Sequence, residues 1–227
     1  YMKKSIYILI FIFITFNAQS HENHYKNISK IEMDVLRNDQ VIGYSNYSFT
    51  HSENEMSVTN DTQFEVELFG VKIFSIISKS IEKYENDKLV FFKSNTLQNN
   101  KKKFVDLKYE KNTNNFLIYG SSYKGTASLD NVIGNWWNHE ILQSDSQISP
   151  LSGSIKEQVI TFVGKEKINL YEKEYFTHRF KLKSKDLSLP EEKKLDFDIW
   201  FEPKKNLILK VGYNRMGYWE YKLKNLK

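Results

Sequence analysis

EMSVTNDTQFEVEL (residues 55–68) and VKIFSIISKSIEKYE (residues 71–85) stand on either side of Phe69-Gly70. Both runs are rich in the β-branched and aromatic residues that suit a pleated surface, and two intervening residues leave room only for a tight turn. The stretch predicts a long antiparallel hairpin. The rhythm continues in both directions. Upstream, Ile31, Met33 and Val35 share one face while Glu32, Asp34 and Leu36 share the other, a turn follows at Asn38-Asp39, and Val41 to Thr50 makes the next strand. Downstream, Asn86-Asp87-Lys88 leads into Leu89 to Leu97, and residues 112–115 turn Phe104–Tyr109 into Phe116–Tyr119.

The C-terminal half reads the same way. Ser154 to Val163 is expected to turn at Gly164-Lys165 into Lys167 to Lys183, Leu195 to Glu202 turns at residues 203–206 into Leu207 to Tyr213, and Gly217 to Leu223 ends the series. Such short connections cannot hold crossover helices, so neighbouring strands must be antiparallel. About ten strands in hairpin succession predict a mainly β fold, a large curved antiparallel sheet or partly open barrel with one short helix in the middle of the chain.

That helix is expected over Asn135 to Leu142, where alternation lapses. Asn135 would cap it, and Trp137 and Ile141 would lie one turn apart.

The N-terminus carries an export signature. Lys3 and Lys4 precede an apolar run from Ile6 to Phe16, and Ala18-Gln19-Ser20 offers small residues for a peptidase, so residues 1–20 read as a signal peptide cleaved after Ser20. A retained anchor is the alternative, but the run is about half of the roughly 20 residues a spanning helix needs. Residues 21–227 are then expected to form a single antiparallel β domain that is exported. The chain has no cysteine, which excludes N-terminal lipid anchoring, disulfides and thiolate chemistry together.

Composition removes other classes. The formal charge is +5, two of the lysines leave with the signal peptide, and Arg37, Arg179 and Arg215 are the only arginines, so no clustered basic surface for nucleic acid is expected. There is no Gly-x-Ser-x-Gly element and no glycine-rich phosphate cradle. His139 and His178 fall short of a metal-ligand set. Neither metal nor cofactor is expected.

Trp136-Trp137-Asn138-His139-Glu140 is the densest chemical cluster, joining large apolar faces to an imidazole and a carboxylate. Trp136, Trp137 and His139, with Trp200 from the Asp198–Glu202 strand, form the candidate ligand-binding set. Tryptophans that simply plug the sheet are the competing account.

The order of these signals resembles an uncharacterised family of exported bacterial proteins, domain of unknown function 6134. It rests on Val41-Ile42-Gly43, Leu117-Ile118-Tyr119-Gly120, Trp136-Trp137, Leu151-Ser152-Gly153, and Asp198-Ile199-Trp200-Phe201-Glu202 followed by Leu207-Ile208-Leu209-Lys210. A Tyr-Asp pair tends to follow the tryptophan in that family, where this chain has Phe201-Glu202. The resemblance implies a LolA-like open barrel, similar in look to lipoprotein carriers, and brings no catalytic residues; together with the missing anchor it implies a periplasmic address.

The leading function is therefore a non-catalytic envelope protein that binds a lipid or other apolar or amphipathic molecule, or an envelope protein partner, with no membrane anchor once the signal is removed. A second reading is an envelope hydrolase using His139 or Glu140 as acid or base. A third is an outer-membrane β-barrel, against which stand charges on both faces of Lys79-Ser80-Ile81-Glu82-Lys83. The lining of any pocket discriminates the first two: apolar walls favour carriage, and convergent His, Glu and Arg favour catalysis.

Overall fold

The computed structural model describes residues 25–227. Fifteen strands form one sheet. The first eight are β1 (Lys30–Arg37), β2 (Gln40–His51), β3 (Glu55–Leu68), β4 (Val71–Glu85), β5 (Lys88–Gln98), β6 (Lys101–Glu110), β7 (Asn115–Gly120) and β8 (Lys124–Ala127). The rest are β9 (Val132–Ile133), β10 (Ser146–Ile148), β11 (Ile155–Leu170), β12 (Lys173–Ser184), β13 (Asp196–Glu202), β14 (Leu207–Asn214) and β15 (Tyr218–Leu226). Each group is a meander in which neighbours in sequence pair in space, and the two groups join where β1 pairs antiparallel with β15. The outer edges, β8 and β9, share no ladder and are linked only by residues 128–131. The sheet is large, curved, mostly antiparallel and open, as the alternation predicts. A membrane-spanning barrel leaves no such free edge.

Turn chemistry sets much of the register. At Asn38-Asp39, Phe69-Gly70, Asn86-Asp87 and Asn99-Asn100 both residues have positive φ, the conformation whose twist matches that of the flanking strands in two-residue hairpins. Asparagine and aspartate tolerate this backbone through local hydrogen bonding, whereas Phe69 adopts it with its ring 97% exposed. The expected turn at Gly164-Lys165 is absent. β11 runs straight through it, with the register slipping between Phe162 and Gly164, and the hairpin closes later, at Tyr171-Glu172. A glycine inside a strand pattern marks a bulge as readily as a turn, and here the bulge prevails.

The mid-chain helix also differs from expectation. Only His139–Leu142 is helical, as one 3-10 turn, and its cap is Asn138, whose side chain accepts from the Glu140 backbone N–H. Asn135 is committed elsewhere, and Trp136-Trp137 lie ahead of the turn. The segment exists because β9 and β10 are parallel neighbours, the one such pair in the sheet. A parallel pair needs a crossover, and residues 134–145 make it across the inner face of the sheet. Gln158, buried on β11, holds the crossover's far end by donating to the Ile141 and Ser144 carbonyls at 3.0 and 2.9 Å.

No helix among the described residues is long and apolar enough to cross a membrane. The expected signal peptide, residues 1–20, lies outside the described residues, as do His21 and His24 just after it.

Candidate functional site

The inward positions of β4 run Ile76, Ser78, Ser80, Glu82, Tyr84, while Ile77, Lys79 and Lys83 face solvent. Polar side chains thus point into the fold beside apolar ones that point out. Glu82 is 1% exposed. Its Oε1 accepts from Trp137 Nε1 at 2.9 Å and from Asn135 Nδ2, and its Oε2 accepts from the Tyr84 hydroxyl at 2.7 Å. Burial pushes the Glu82 carboxyl up to about 7, and the bonds from Trp137, Tyr84 and Asn135 pull the other way without prevailing.

Trp137 is equally buried and serves packing. Its ring meets Tyr25, Phe49 and Tyr84 edge-on, with centroids 5.0, 5.4 and 5.8 Å away. Tyr25 donates to the Trp137 carbonyl at 2.9 Å and lies 2.9 Å from His139 Nδ1, and the His139 ring stacks on Phe201 at 5.8 Å. His139 is thereby built into the core. Burial raises the Glu140 carboxyl above its ordinary range, opposed by Asn138. Neither His139 nor Glu140 reaches the cavity described next.

Trp136 points to the other side of the crossover. It packs against Phe197 and Tyr221, with centroids 5.1 and 6.1 Å away, and with Asn135 it floors a cavity of about 510 Å³ between the two meanders. One wall is polar, formed by Ser45, Asn60 and Thr62 on β2 and β3 and by Ser78 and Ser80 on β4. Cross-strand pairs order these hydroxyls, Ser45 with Thr62 and Ser78 with Thr96, both at 2.7 Å. The opposite wall holds Phe197, Tyr213 and Tyr221, and Phe64 and Phe74 stand above the hydroxyls. Exposed Leu187, Glu191 and Arg215 mark the mouth, together with Lys156 and Lys183.

Of the four candidate residues, Trp136 alone lines this cavity. Trp137 and His139 lie beneath its floor, and Trp200 occupies the outer face, its ring between Arg179 Cζ at 5.1 Å and Lys210 Nζ at 4.4 Å. His178 packs against Phe162 rather than near His139. Among the described residues no group of three or more His, Asp or Glu side chains could hold a metal. Sequence reasoning missed the hydroxyl wall and took Glu82 for one charge on a two-faced strand. The signal was present in residues 76–84, where two inward serines alternate with Ile77 and Ile81, but alternation alone does not say which set faces the core.

Residues 33–224 match the model of the domain of unknown function DUF6134. The chain belongs to this family. No curated protein matches this DUF6134 member. Among solved structures, it is similar to a beta-barrel-like protein of domain of unknown function DUF1849 from Brucella abortus, with a TM-score of 0.60 and 9% identity over 87% of this chain and 96% of that one. At that identity the likeness is one of fold.

Proposed function

We propose that this DUF6134 protein is a non-catalytic binder of an amphipathic small molecule, taken up in the cavity above Trp136, and that it acts in the periplasm after loss of residues 1–20. The observation that carries this reading is the lining, in which ordered hydroxyls and amides face aromatic rings across about 510 Å³, within the usual size of small-molecule sites of roughly 300–1,000 Å³. Its two acidic members are already engaged, Glu191 by Lys194 and Asp196 by Lys181. No histidine lines it. These features favour amphipathic ligands over purely apolar ones, and holding over acid–base chemistry. A carrier role fits the resemblance to lipoprotein-carrier open barrels.

Native mass spectrometry of the mature protein taken from its own envelope, followed by solvent extraction, tests this. A stoichiometric amphiphile that is lost in a folded Trp136→Ala variant is the expected result. An apo mass under gentle conditions, with nothing released, overturns it.

A further inference from the structure

One end of the cavity carries cations that form no ion pair among the described residues, while the two carboxylates of the lining, Glu191 and Asp196, are paired with Lys194 and Lys181. Lys156 lies on β11 two residues before inward-facing Gln158, and its Nζ rests 3.3 Å from the Lys193 carbonyl. Arg215, following β14, sends Nη2 to the Glu191 and Lys194 carbonyls at 3.0 and 3.5 Å. Both cations converge on the single helical turn Glu191–Lys193 beside the mouth. Lys103, on β6, lies behind the lining and donates to Gln98, itself part of the cavity wall, at 2.6 Å. Among the described residues none of these three cations has a carboxylate within 4 Å.

The three interact. Burial pushes the Lys156 ammonium below the ordinary lysine range, and the positive charges of Arg215 and Lys103 push it the same way. Neutral carbonyl and amide oxygens orient these heads without cancelling their charge. An anion placed among them would relieve the repulsion and gain charge-assisted hydrogen bonds in a partly desolvated position.

We infer that the cavity's ligand is an anionic amphiphile, taken up as a single molecule with its carboxylate, phosphate or sulfonate group held by Lys156, Arg215 and Lys103 and its remainder against Phe74, Phe197 and Trp136. The inference rests on the proposed uptake of an amphipathic molecule and adds the sign of its head group. The class covers a free organic acid and the detached monomer of an acidic lipid, which share that head.

Two fluorescent probes separate this inference from the reading beneath it: phenylnaphthylamine, which is neutral, and anilinonaphthalene sulfonate, the same skeleton with one sulfonate. Both are titrated against the mature protein and against Lys156→Gln and Lys103→Gln, each checked for an unchanged circular dichroism spectrum. Arg215 also fastens the mouth through two carbonyls, so the lysine variants are the cleaner ones. The expected result is that each variant weakens the sulfonate probe about tenfold relative to the neutral probe, as loss of one charged hydrogen bond implies, and that added salt narrows the preference in the unaltered protein. Binding of the neutral probe with no change in the ratio overturns the anionic head and leaves the cavity reading standing. Failure of both probes sinks the cavity reading itself. Displacement of the sulfonate probe by dodecanoate but not acetate supports an amphiphilic acid. Displacement only by vesicles containing phosphatidylglycerol assigns the cations to a membrane surface and overturns uptake.

Discussion

Trp137 Nε1 and Glu82 Oε1, distant in the chain, meet at 2.9 Å inside the fold. The bond ties the crossover of the second meander to the central strand of the first, and it places a carboxyl where water does not reach. Three donors converge on that group without a cation among them, so its ionised form is held only by dipoles.

The first prediction concerns pH. An acid whose pKa rises from its ordinary 4.5 to about 7 on folding binds more protons folded than unfolded between those values. Its contribution is therefore complete below 4.5 and is lost as pH rises through 7, a difference of about 3 kcal/mol. Glu82→Gln keeps an acceptor for Trp137 and Asn135 and lets Tyr84 accept instead of donate. Urea unfolding at pH 5 and pH 8 should show the unaltered protein losing stability with this rise while the variant does not. Parallel curves for the two would disprove the assignment.

The adjacent tryptophans should respond differently. Trp137→Ala removes a fully buried ring packed among Tyr25, Phe49 and Tyr84 and is expected to cost about 3–5 kcal/mol. Trp136→Ala, at the cavity floor, should cost less and abolish probe binding. Trp200→Ala, on the outer face, should leave binding unchanged. Thermal melts and probe titrations of the three variants together decide the matter.

Two glycines offer a backbone test. A Cβ at residue 43 would stand 2.0 Å from the Gln63 carbonyl oxygen and 2.5 Å from Phe64 Cβ, across the β2–β3 ladder. Gly43→Ala should lose about 1–3 kcal/mol. At the Gly164 bulge a Cβ meets nothing within 4 Å, and Gly164→Ala should fall within about 0.5 kcal/mol of the parent. Denaturant midpoints measure both.

The Tyr25 hydroxyl joins the described N-terminal end to the crossover by donating to the Trp137 carbonyl at 2.9 Å, with the Asn206 carbonyl of the β13–β14 turn 3.3 Å away. Tyr25→Phe keeps the stack on Phe49 at 5.6 Å and removes the bonds, so a loss of about 1 kcal/mol is expected from melting. No loss would mean that the ring alone fixes this corner.

What was legible in the sequence was legible for physical reasons. Asn-Asp turns and alternating strands fix local geometry, so the hairpins from Ile31 to Tyr119 follow from residues alone. The motifs Leu117–Gly120 and Leu151–Gly153 gave order without contact. In the fold they touch: a Cβ on Gly120 would lie 2.5 Å from the Ser152 carbonyl oxygen and 3.1 Å from Gly153 Cα. Strand parity was not legible, which hid Glu82 and the hydroxyl wall. The mouth cations were hidden too, because Lys103, Lys156 and Arg215 come from three distant segments whose meeting depends on tertiary closure.

The pairing of β1 with β15 sets a timetable for the newborn chain. β1 can cover its second edge only when β15 has been made, so every intermediate that lacks β15 carries an open template there. Each meander can assemble from local contacts, but their union must wait for β15. Until β15 is made, no ladder among the described residues joins the two halves of the sheet, so this one pairing acts as the lock on the whole fold.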